Sequence, residues 1–277
     1  MLNIHPILPI MVLCKNRLRY LDTTLKSLSA TIPSVPVYLV SDGSTNPSFI
    51  EYLTTQNKIE VNDSPYPNSD EWIKYAGFLP NKTHVQGILG KFYIILRRQS
   101  TGLQNLGFAA NLIFQNHPKA KHIIKIEDDV IFPKNWYSRF CNTVANSSAG
   151  LVSGFRNFFK PISFQNNILL SGYTTAQLFA ISRTLWNKQP DLKNAPCTIF
   201  GTDEKLTPDD YWIDKCREVN MNVEVTKISY CQHIGIISEF WGNRFKPSHI
   251  NRMDRQLLPP FAISDSIKTF ASNLLEV

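Results

Sequence analysis

The chain has 277 residues, 43% of them hydrophobic and 18% charged, and contains no low-complexity tract or repeat. These proportions predict one compact soluble unit, and no apolar run approaches the roughly 20 residues that a transmembrane segment needs. The net charge of +7 fits an anionic partner such as nucleic acid, a membrane surface or a phosphate-bearing substrate. It fits a generic basic surface equally well, because the Lys and Arg residues are scattered.

The first part of the chain predicts a βαβ unit. A buried strand within residues 9–17 is followed by a helix (18–30) and by a second buried strand (35–46), which stops at a turn at Asp42 and Gly43. Such units form parallel sheets with right-handed crossovers. Both strands are therefore expected to end at the same sheet edge, where open α/β folds bind ligands.

Further elements alternate in the same way. Residues 47–90 show no clear element, although "NDSPYPNSDEW" (62–72) and "NKTHVQGILGK" (81–91) predict loops. After them we predict a third strand (91–98), a turn at Gly107 leading into a helix (105–117), a fourth strand (121–132) and a helix (134–147). Beyond residue 150 we predict buried segments rich in Gly and aromatic residues, a helix (207–220) capped by Thr207, a strand (221–235) and a terminal tail or helix (251–277).

Five cysteines without paired spacing indicate a reducing compartment rather than a disulfide framework. No small-residue cleavage site follows the early apolar run, so we expect no signal peptide. The sequence therefore predicts a cytoplasmic protein, in a bacterium or a phage-infected host cell. The oligomeric state does not follow from the sequence.

Three adjacent acids follow the apolar part of the fourth strand in "HIIKIEDDVIF". This acidic triplet consists of Glu127, Asp128 and Asp129. Like charges repel, and each costs more as water is removed, so a counter-ion is expected. Carboxylates at a strand end suit a hard divalent cation such as Mg²⁺ or Mn²⁺. The alternative is a solvated acidic turn.

The segments "VYLVSDGSTN", "NLGFAAN" and "IKIEDDV" occur in this order after an opening strand and helix. Together they resemble the nucleotide-sugar-dependent glycosyltransferases of the GT-A fold, in which the acids form the metal-binding DxD motif. The resemblance covers residues 9–140. It implies an α/β fold with a mostly parallel central sheet flanked by helices. It also implies one GT-A domain over residues 1–250, with a nucleotide-sugar half (1–132) and an acceptor half (133–250).

The resemblance assigns roles to residues of the first half. Asp42 would accept a hydrogen bond from the nucleotide base, most often uracil, in a pocket shaped by Gly43. Asn105, Gly107 and Asn111 would line the nucleotide-sugar site. The alternative is that Asp42 only caps a turn and Asn111 only caps a helix. The segment "SDGS" also lacks one acid of the usual "DDGS" turn.

The same resemblance makes the acidic triplet the metal site. Asp129 would bind Mn²⁺ or Mg²⁺, Asp128 would contact the ribose or the sugar, and Glu127 would support the pair. His233, near the end of the predicted strand 221–235, would complete the metal shell or contact the diphosphate. A purely structural role for this histidine is the alternative.

The segments "TPDDYWID" and "KISYCQHIG" resemble those of the N-acetylglucosaminyltransferase I family, in which an acidic segment carries the catalytic base. By that likeness Asp210, rather than its neighbour Asp209, would remove the acceptor proton in an inverting transfer. The alternative is that both acids serve only the first turn of a helix, where acids are favoured. Further along, Arg244 and Lys246 would meet phosphate oxygens from a closing segment.

These features predict a metal-dependent hexosyl- or pentosyltransferase, inverting, with a UDP-sugar as the favoured donor. The acceptor would be a glycan, a lipid-linked saccharide or a modified DNA base. One alternative is a non-catalytic nucleic-acid or glycan binding module on a degenerate transferase fold. Another is a different Mg²⁺-dependent nucleotide enzyme on a similar sheet. Such an enzyme would have a Gly-rich phosphate loop after the first strand, whereas the segment "CKNRLRYL" there contains no glycine.

Overall fold

The structure is a computed structural model and describes residues 7–55, 84–89, 92–97, 103–155, 163–165, 168–170, 177–194 and 208–234. Within these ranges the strands are β1 (Ile10–Cys14), β2 (Val37–Ser41), β3 (His84–Leu89), β4 (Phe92–Arg97), β5 (His122–Glu127), β6 (Val130–Ile131), β7 (Leu151–Ser153), β8 (Ser163–Gln165), β9 (Ile168–Leu170), β10 (Leu178–Ser182), β11 (Val223–Thr226) and β12 (Gln232–His233). The helices are α1 (Leu18–Thr31), α2 (Pro47–Thr55), α3 (Leu103–Asn116), α4 (Trp136–Ala145), α5 (Arg183–Lys188), a 3-10 turn (Pro190–Asn194) and α6 (Pro208–Glu218).

Ten of these strands form one mixed sheet in the order β3-β4-β2-β1-β5-β10-β7-β11-β9-β8. The neighbouring strands β4, β2, β1 and β5 are parallel, whereas β10 runs antiparallel to both β5 and β7. The predicted α/β fold class is therefore confirmed. Strand order reverses between β1 and β5, and ligands of open α/β sheets bind at such a switch point, beyond the carboxyl ends of the strands.

The central strands are buried on both faces. Along β1, Ile10 and Val12 belong to a core that includes Leu21 of α1 and Phe140 of α4. Met11 points the other way, into a core with residues of α3 and α6. Because side chains alternate along a strand and helices cover both faces, these strands are continuous apolar runs.

Two elements lie within residues 47–90, where no element was predicted, and the loop predicted at 81–91 is wrong. Residues Pro47–Thr55 form α2, and its first turn is capped by Asn46, whose Oδ1 accepts a hydrogen bond from the Phe49 N–H at 3.3 Å. An Asn cap followed by Pro at the first helical position is a favourable helix start. Residues His84–Leu89 form β3, which pairs antiparallel with β4 at the sheet edge.

Two further elements differ from the prediction. Helix α3 runs through Gly107 without a turn there. The single strand predicted at 221–235 is two strands in different sheets, β11 and β12. Between them the Tyr230 N–H donates to the Gly154 carbonyl at 2.7 Å, which takes the backbone out of the β11 ladder. The predicted tail (251–277) lies outside the described residues.

In the part of the chain that the structure describes, no helix combines the length and apolar character needed to cross a membrane. The cysteines found there, at positions 14, 141, 216 and 231, are all buried and free.

Candidate functional site

The candidate site lies at the carboxyl ends of the central parallel strands. Cys14 at the end of β1 is in register with Ser41 at the end of β2, which is in register with Leu96 of β4. On the other side of β1, Leu13 is in register with Glu127, the last residue of β5. The segments that leave these four strands therefore start side by side at one edge of the sheet.

The turn after β5 is held against α1 by two hydroxyl groups. Thr24 Oγ1 accepts a hydrogen bond from the Val130 N–H at 3.1 Å. It also lies 2.9 Å from the carbonyl oxygens of Asp128 and Val130, which share its single hydroxyl hydrogen. Ser27, one helical turn further on, accepts from the Phe132 N–H at 2.8 Å. Helix α1 thus fixes the backbone that carries the acids.

Arg17, which directly precedes α1, neutralises the last two acids. Its Nη1 donates to Asp129 Oδ2 at 2.7 Å, and its Nη2 forms an ion pair with Asp128 Oδ1. The Lys15 backbone N–H adds a hydrogen bond to Asp128 Oδ2 at 3.3 Å. The Arg17 side chain is only 14% exposed, so solvent screens this bridge between β1 and β5 poorly.

Glu127 has a counter-ion of its own. The Lys125 ammonium group is buried and forms an ion pair with Glu127 Oε1, and it lies 5.4 Å from the ring centroid of Phe179 on β10. Ile124 and Ile126 belong to the core on the α1 side, so alternation along β5 puts Lys125 and Glu127 on the α3 side. Glu127 therefore turns away from the side of the sheet that α1 covers.

His233 reaches the acids from the far end of the chain. Strand β12 pairs antiparallel with β6, with His233 opposite Val130, and the Ile234 N–H donates to the Asp129 carbonyl at 2.8 Å. This pairing brings His233 Nε2 within 3.1 Å of Asp129 Oδ2. The structure therefore brings together Asp129 and His233, two of the three residues predicted as metal ligands.

The electrostatics of the two aspartates differ. Burial, reinforced by the charges of Asp129 and Glu127, raises the pKa of Asp128 to about 7, although Arg17 opposes the shift. Burial acts on Asp129 as well, but the charges of Arg17 and His233 and their hydrogen bonds outweigh it and hold the pKa of Asp129 well below its usual range. Burial would lower the pKa of His233, but the charge of Asp129 outweighs burial and raises it.

Asp129 keeps one oxygen unused. Its Oδ1 is buried and has no hydrogen-bond partner among the residues that the structure describes, whereas Oδ2 contacts both Arg17 and His233. A buried anionic oxygen without a partner is costly. A hard divalent cation would satisfy it, and Mn²⁺ also accepts an imidazole nitrogen.

These donors fit a metal bound by few protein atoms. In the described ranges, no three His, Cys, Asp or Glu side chains are arranged to hold a metal ion. Asp129 and His233 alone would be two ligands, and phosphate oxygens and water would complete the shell, as is usual for Mg²⁺-type sites. The residues present therefore fit a metal that arrives with a phosphorylated ligand.

The turn after β2 is tied to the segment after β1. Asn16 accepts hydrogen bonds from the backbone N–H groups of residues 45–46 at 2.8 and 3.0 Å. Asp42 is buried, and its N–H donates to the Cys14 carbonyl at 3.0 Å. Gly43 has a φ of 63°, a region that suits glycine. Asp42 and Gly43 thus lie beside the end of β1.

The remaining predicted donor-site residues lie on α3. Asn105 is buried, and its side-chain oxygen accepts a hydrogen bond from Arg97 Nη1 at 3.4 Å, which places Asn105 at the end of β4. Gly107 is buried in the same helix, and Asn111 is half-buried one turn further on. None of the contacts in the described ranges joins Gly107 or Asn111 to the acidic triplet.

The predicted catalytic acids occupy the first turn of α6. Asp209 and Asp210 precede Trp212, whose ring centroid lies 6.4 Å from that of Phe179 on β10. Phe179 is in register with Lys125. The start of α6 therefore packs on the sheet face that also carries Glu127.

Two cations at the site were not predicted, Arg17 and Lys125. Each had a signal in the sequence: Arg17 follows β1 at the predicted ligand edge, and Lys125 interrupts the apolar run "HIIKIE". The predicted phosphate contacts Arg244 and Lys246 lie outside the described residues.

No protein-family model matches the chain, and no curated protein matches it in sequence. Solved structures resemble its fold. One is GalNAc-T7 with UDP, GalNAc and Mn²⁺ (12% identity, TM-score 0.49, covering 79% of this chain and 42% of that one). Another is the mannosyltransferase PcManGT from Pyrobaculum calidifontis in complex with GDP-Man and Mn²⁺ (14%, 0.48, 82% and 58%). A third is S. aureus TarS 1-349 in complex with UDP-GlcNAc (10%, 0.49, 82% and 58%).

The chain thus spans less than two thirds of the length of each of these proteins. Likenesses at this identity and TM-score carry no argument about what the chain does. Any functional conclusion has to come from the residues of the site.

Proposed function

We propose that the chain is a metal-dependent glycosyltransferase of the GT-A type. It would move a sugar from a nucleotide-diphosphate donor, with UDP-sugars favoured, to an acceptor hydroxyl. The observation that carries this proposal is the meeting of Asp129 and His233 at the switch point between β1 and β5. There Asp129 Oδ1 is buried without a hydrogen-bond partner among the described residues.

Asp129 Oδ1 and His233 Nε2 are the groups that would hold Mn²⁺ or Mg²⁺. Bound there, the ion would supply Lewis-acid neutralisation of the departing nucleoside diphosphate. Asp129 suits this role because the charges of Arg17 and His233 hold its pKa well below its usual range. To become a ligand, His233 would give up its proton and its hydrogen bond to Asp129 Oδ2, since only the neutral imidazole binds a metal. Thr24 holds the backbone of the turn in place, so the backbone that carries Asp129 would need no rearrangement when the ion binds.

The nucleotide side of the site would run along the carboxyl ends of β1, β2 and β4. Asp42 would accept a hydrogen bond from the base, beside the close backbone turn at Gly43. Asn105 is positioned at the same edge by Arg97. Gly107 and Asn111 would extend this wall along α3, and Asp128 would contact the ribose or the sugar.

The acceptor side is assigned to α6. Asp210, with Asp209 beside it, would take the proton from the acceptor hydroxyl as its oxygen attacks the anomeric carbon, which inverts the configuration. The packing of Trp212 on Phe179 supports this role, because it puts the start of α6 on the sheet face that carries Glu127.

Three further features bear on the acceptor, the domain organisation and the compartment. The net charge of +7 favours an anionic acceptor, such as DNA carrying a modified base or an anionic glycan or lipid-linked saccharide. One domain over residues 1–250 is supported by the single sheet that joins β1 to β11. The buried free cysteines of the described ranges are compatible with the cytoplasm.

The test is turnover of UDP- and GDP-sugars with Mn²⁺, followed as nucleotide release with and without acceptor hydroxyls. We expect Asp210→Asn to lower kcat by a factor of about 100 or more with the donor affinity unchanged. Asp214→Asn is the matched control, because Asp214 lies on the same helix, is 59% exposed and pairs only with Arg217 in the described part. Absence of nucleotide release from every donor would contradict the proposed activity. Full activity of Asp210→Asn would remove that residue as the base.

A further inference from the structure

The acidic triplet is already close to neutral before any metal binds. Arg17 spans Asp128 and Asp129, and Lys125 pairs with Glu127. Two cations against three carboxylates leave at most one net negative charge in the cluster. A hard divalent cation binds protein sites largely through the charge of its oxygen ligands, so this cluster alone offers it little.

Arg17 also competes directly for the metal-binding carboxylate. Its Nη1 lies 2.7 Å from Asp129 Oδ2, within a few ångström of any ion on Oδ1 of the same group. Two cations this close repel strongly where solvent is largely excluded, and the Arg17 side chain is only 14% exposed. Asp128 cannot compensate, because the same guanidinium pairs with it.

Arg17 nevertheless cannot satisfy the whole carboxylate. Asp129 Oδ1 remains buried and without a hydrogen-bond partner in the described part of the chain. The site therefore has an open anionic position but too little negative charge to fill it with a bare metal ion. A diphosphate would bring the missing negative charge together with additional oxygen ligands.

We infer that Arg17 is a positioning residue that makes metal binding conditional on the diphosphate of the donor. It holds the two aspartates in place in the empty protein and keeps the affinity for the bare metal low. Metal and diphosphate then bind cooperatively, and by thermodynamic linkage each raises the affinity for the other by the same factor. The inference rests on the proposed function, because it presumes a nucleotide-diphosphate ligand.

The test is direct titration of Mn²⁺, followed by the electron paramagnetic resonance signal of the free ion, with and without saturating UDP or GDP. For the unmodified protein we expect the nucleotide to tighten Mn²⁺ binding by about tenfold or more. Arg17→Met removes the charge but keeps a long side chain. It should bind Mn²⁺ alone about tenfold more tightly than the unmodified protein, and the nucleotide should then add less. Arg17→Lys keeps the charge and should stay within about threefold of the unmodified protein.

Equal Mn²⁺ affinity of the unmodified protein with and without nucleotide would overturn the inference. By linkage it is the same result as nucleotide binding that ignores Mn²⁺, so it would overturn the metal-diphosphate site of the proposed function as well. If Arg17→Met folds and binds Mn²⁺ alone no more tightly than the unmodified protein, the inference is also overturned, while the proposed function stands.

Discussion

Thr24→Val tests whether α1 holds the acid-bearing turn. The Thr24 side chain is fully buried and bonds to the backbone on both sides of Asp129: it accepts from the Val130 N–H and donates to the Asp128 carbonyl. Valine has nearly the same shape but no hydroxyl group. The substitution therefore leaves a buried N–H and a buried carbonyl without this partner and creates no cavity.

The cost follows from those two groups. A buried polar group that loses its partner costs about 1–3 kcal/mol, so we expect Thr24→Val to lower the free energy of unfolding by about 2–4 kcal/mol. For a chain of this size that corresponds to a fall in Tm of roughly 5–10 °C. The affinity for UDP with Mn²⁺ should fall as well, because the turn carries Asp129.

Urea unfolding and calorimetry measure the loss, and Thr23→Val is the matched control. Thr23 is also buried, but its hydroxyl only donates to the Arg19 carbonyl of its own helix at 2.8 Å. Its replacement should cost less than about 1 kcal/mol. Equal costs for the two substitutions would refute the view that Thr24 anchors the turn.

Two further predictions concern pH and packing. Burial, reinforced by Lys121, lowers the pKa of His122 from 6.5 to about 4, so the unfolded chain binds this proton at higher pH than the folded one. The free energy of unfolding should therefore fall by up to about 3 kcal/mol as the pH drops from about 6.5 to 4. Measured by urea titration at each pH, this fall should be smaller in His122→Gln. Identical pH dependence of the variant and the unmodified protein would contradict the role given to His122. A methyl group at Gly154 would lie 2.6 Å from Leu178 Cδ2 and 2.9 Å from Phe140 Cε2, so Gly154→Ala should destabilise the protein by about 1–3 kcal/mol in the same assay. The double variant Gly154→Ala/Leu178→Val should lose less free energy of unfolding than the two single variants lose together. If the two losses simply add, the contact between the new methyl group and Leu178 is not the cause of the destabilisation.

The elements that depend mainly on neighbouring residues were predicted from the sequence. The apolar run of β1, the helical spacing of α1 and the turn at Gly43 are all in the structure. Helix α2 was readable too, from Asn46 followed by Pro47, but no element was predicted for residues 47–55. The break between β11 and β12 was not readable, because it depends on the Gly154 carbonyl, which is distant in sequence.

The site was predicted less completely, because its key contacts join distant segments. Arg17 and Asp129 are 112 residues apart, and no local pattern pairs them. The sequence raised the question of how three adjacent acids are tolerated, and a metal was the expected answer. The structure adds fixed cations, Arg17 and Lys125, that neutralise most of that charge.

Calorimetric titration of UDP with and without Mn²⁺, on the unmodified protein and on Asp129→Asn, tests the central claim most directly. Asp214→Asn, at an exposed position paired with Arg217, serves as the control. We expect UDP binding that requires Mn²⁺, is lost in Asp129→Asn and is unchanged in the control. Binding that ignores the metal, or that survives Asp129→Asn at full strength, would contradict a metal-diphosphate site at the end of β5.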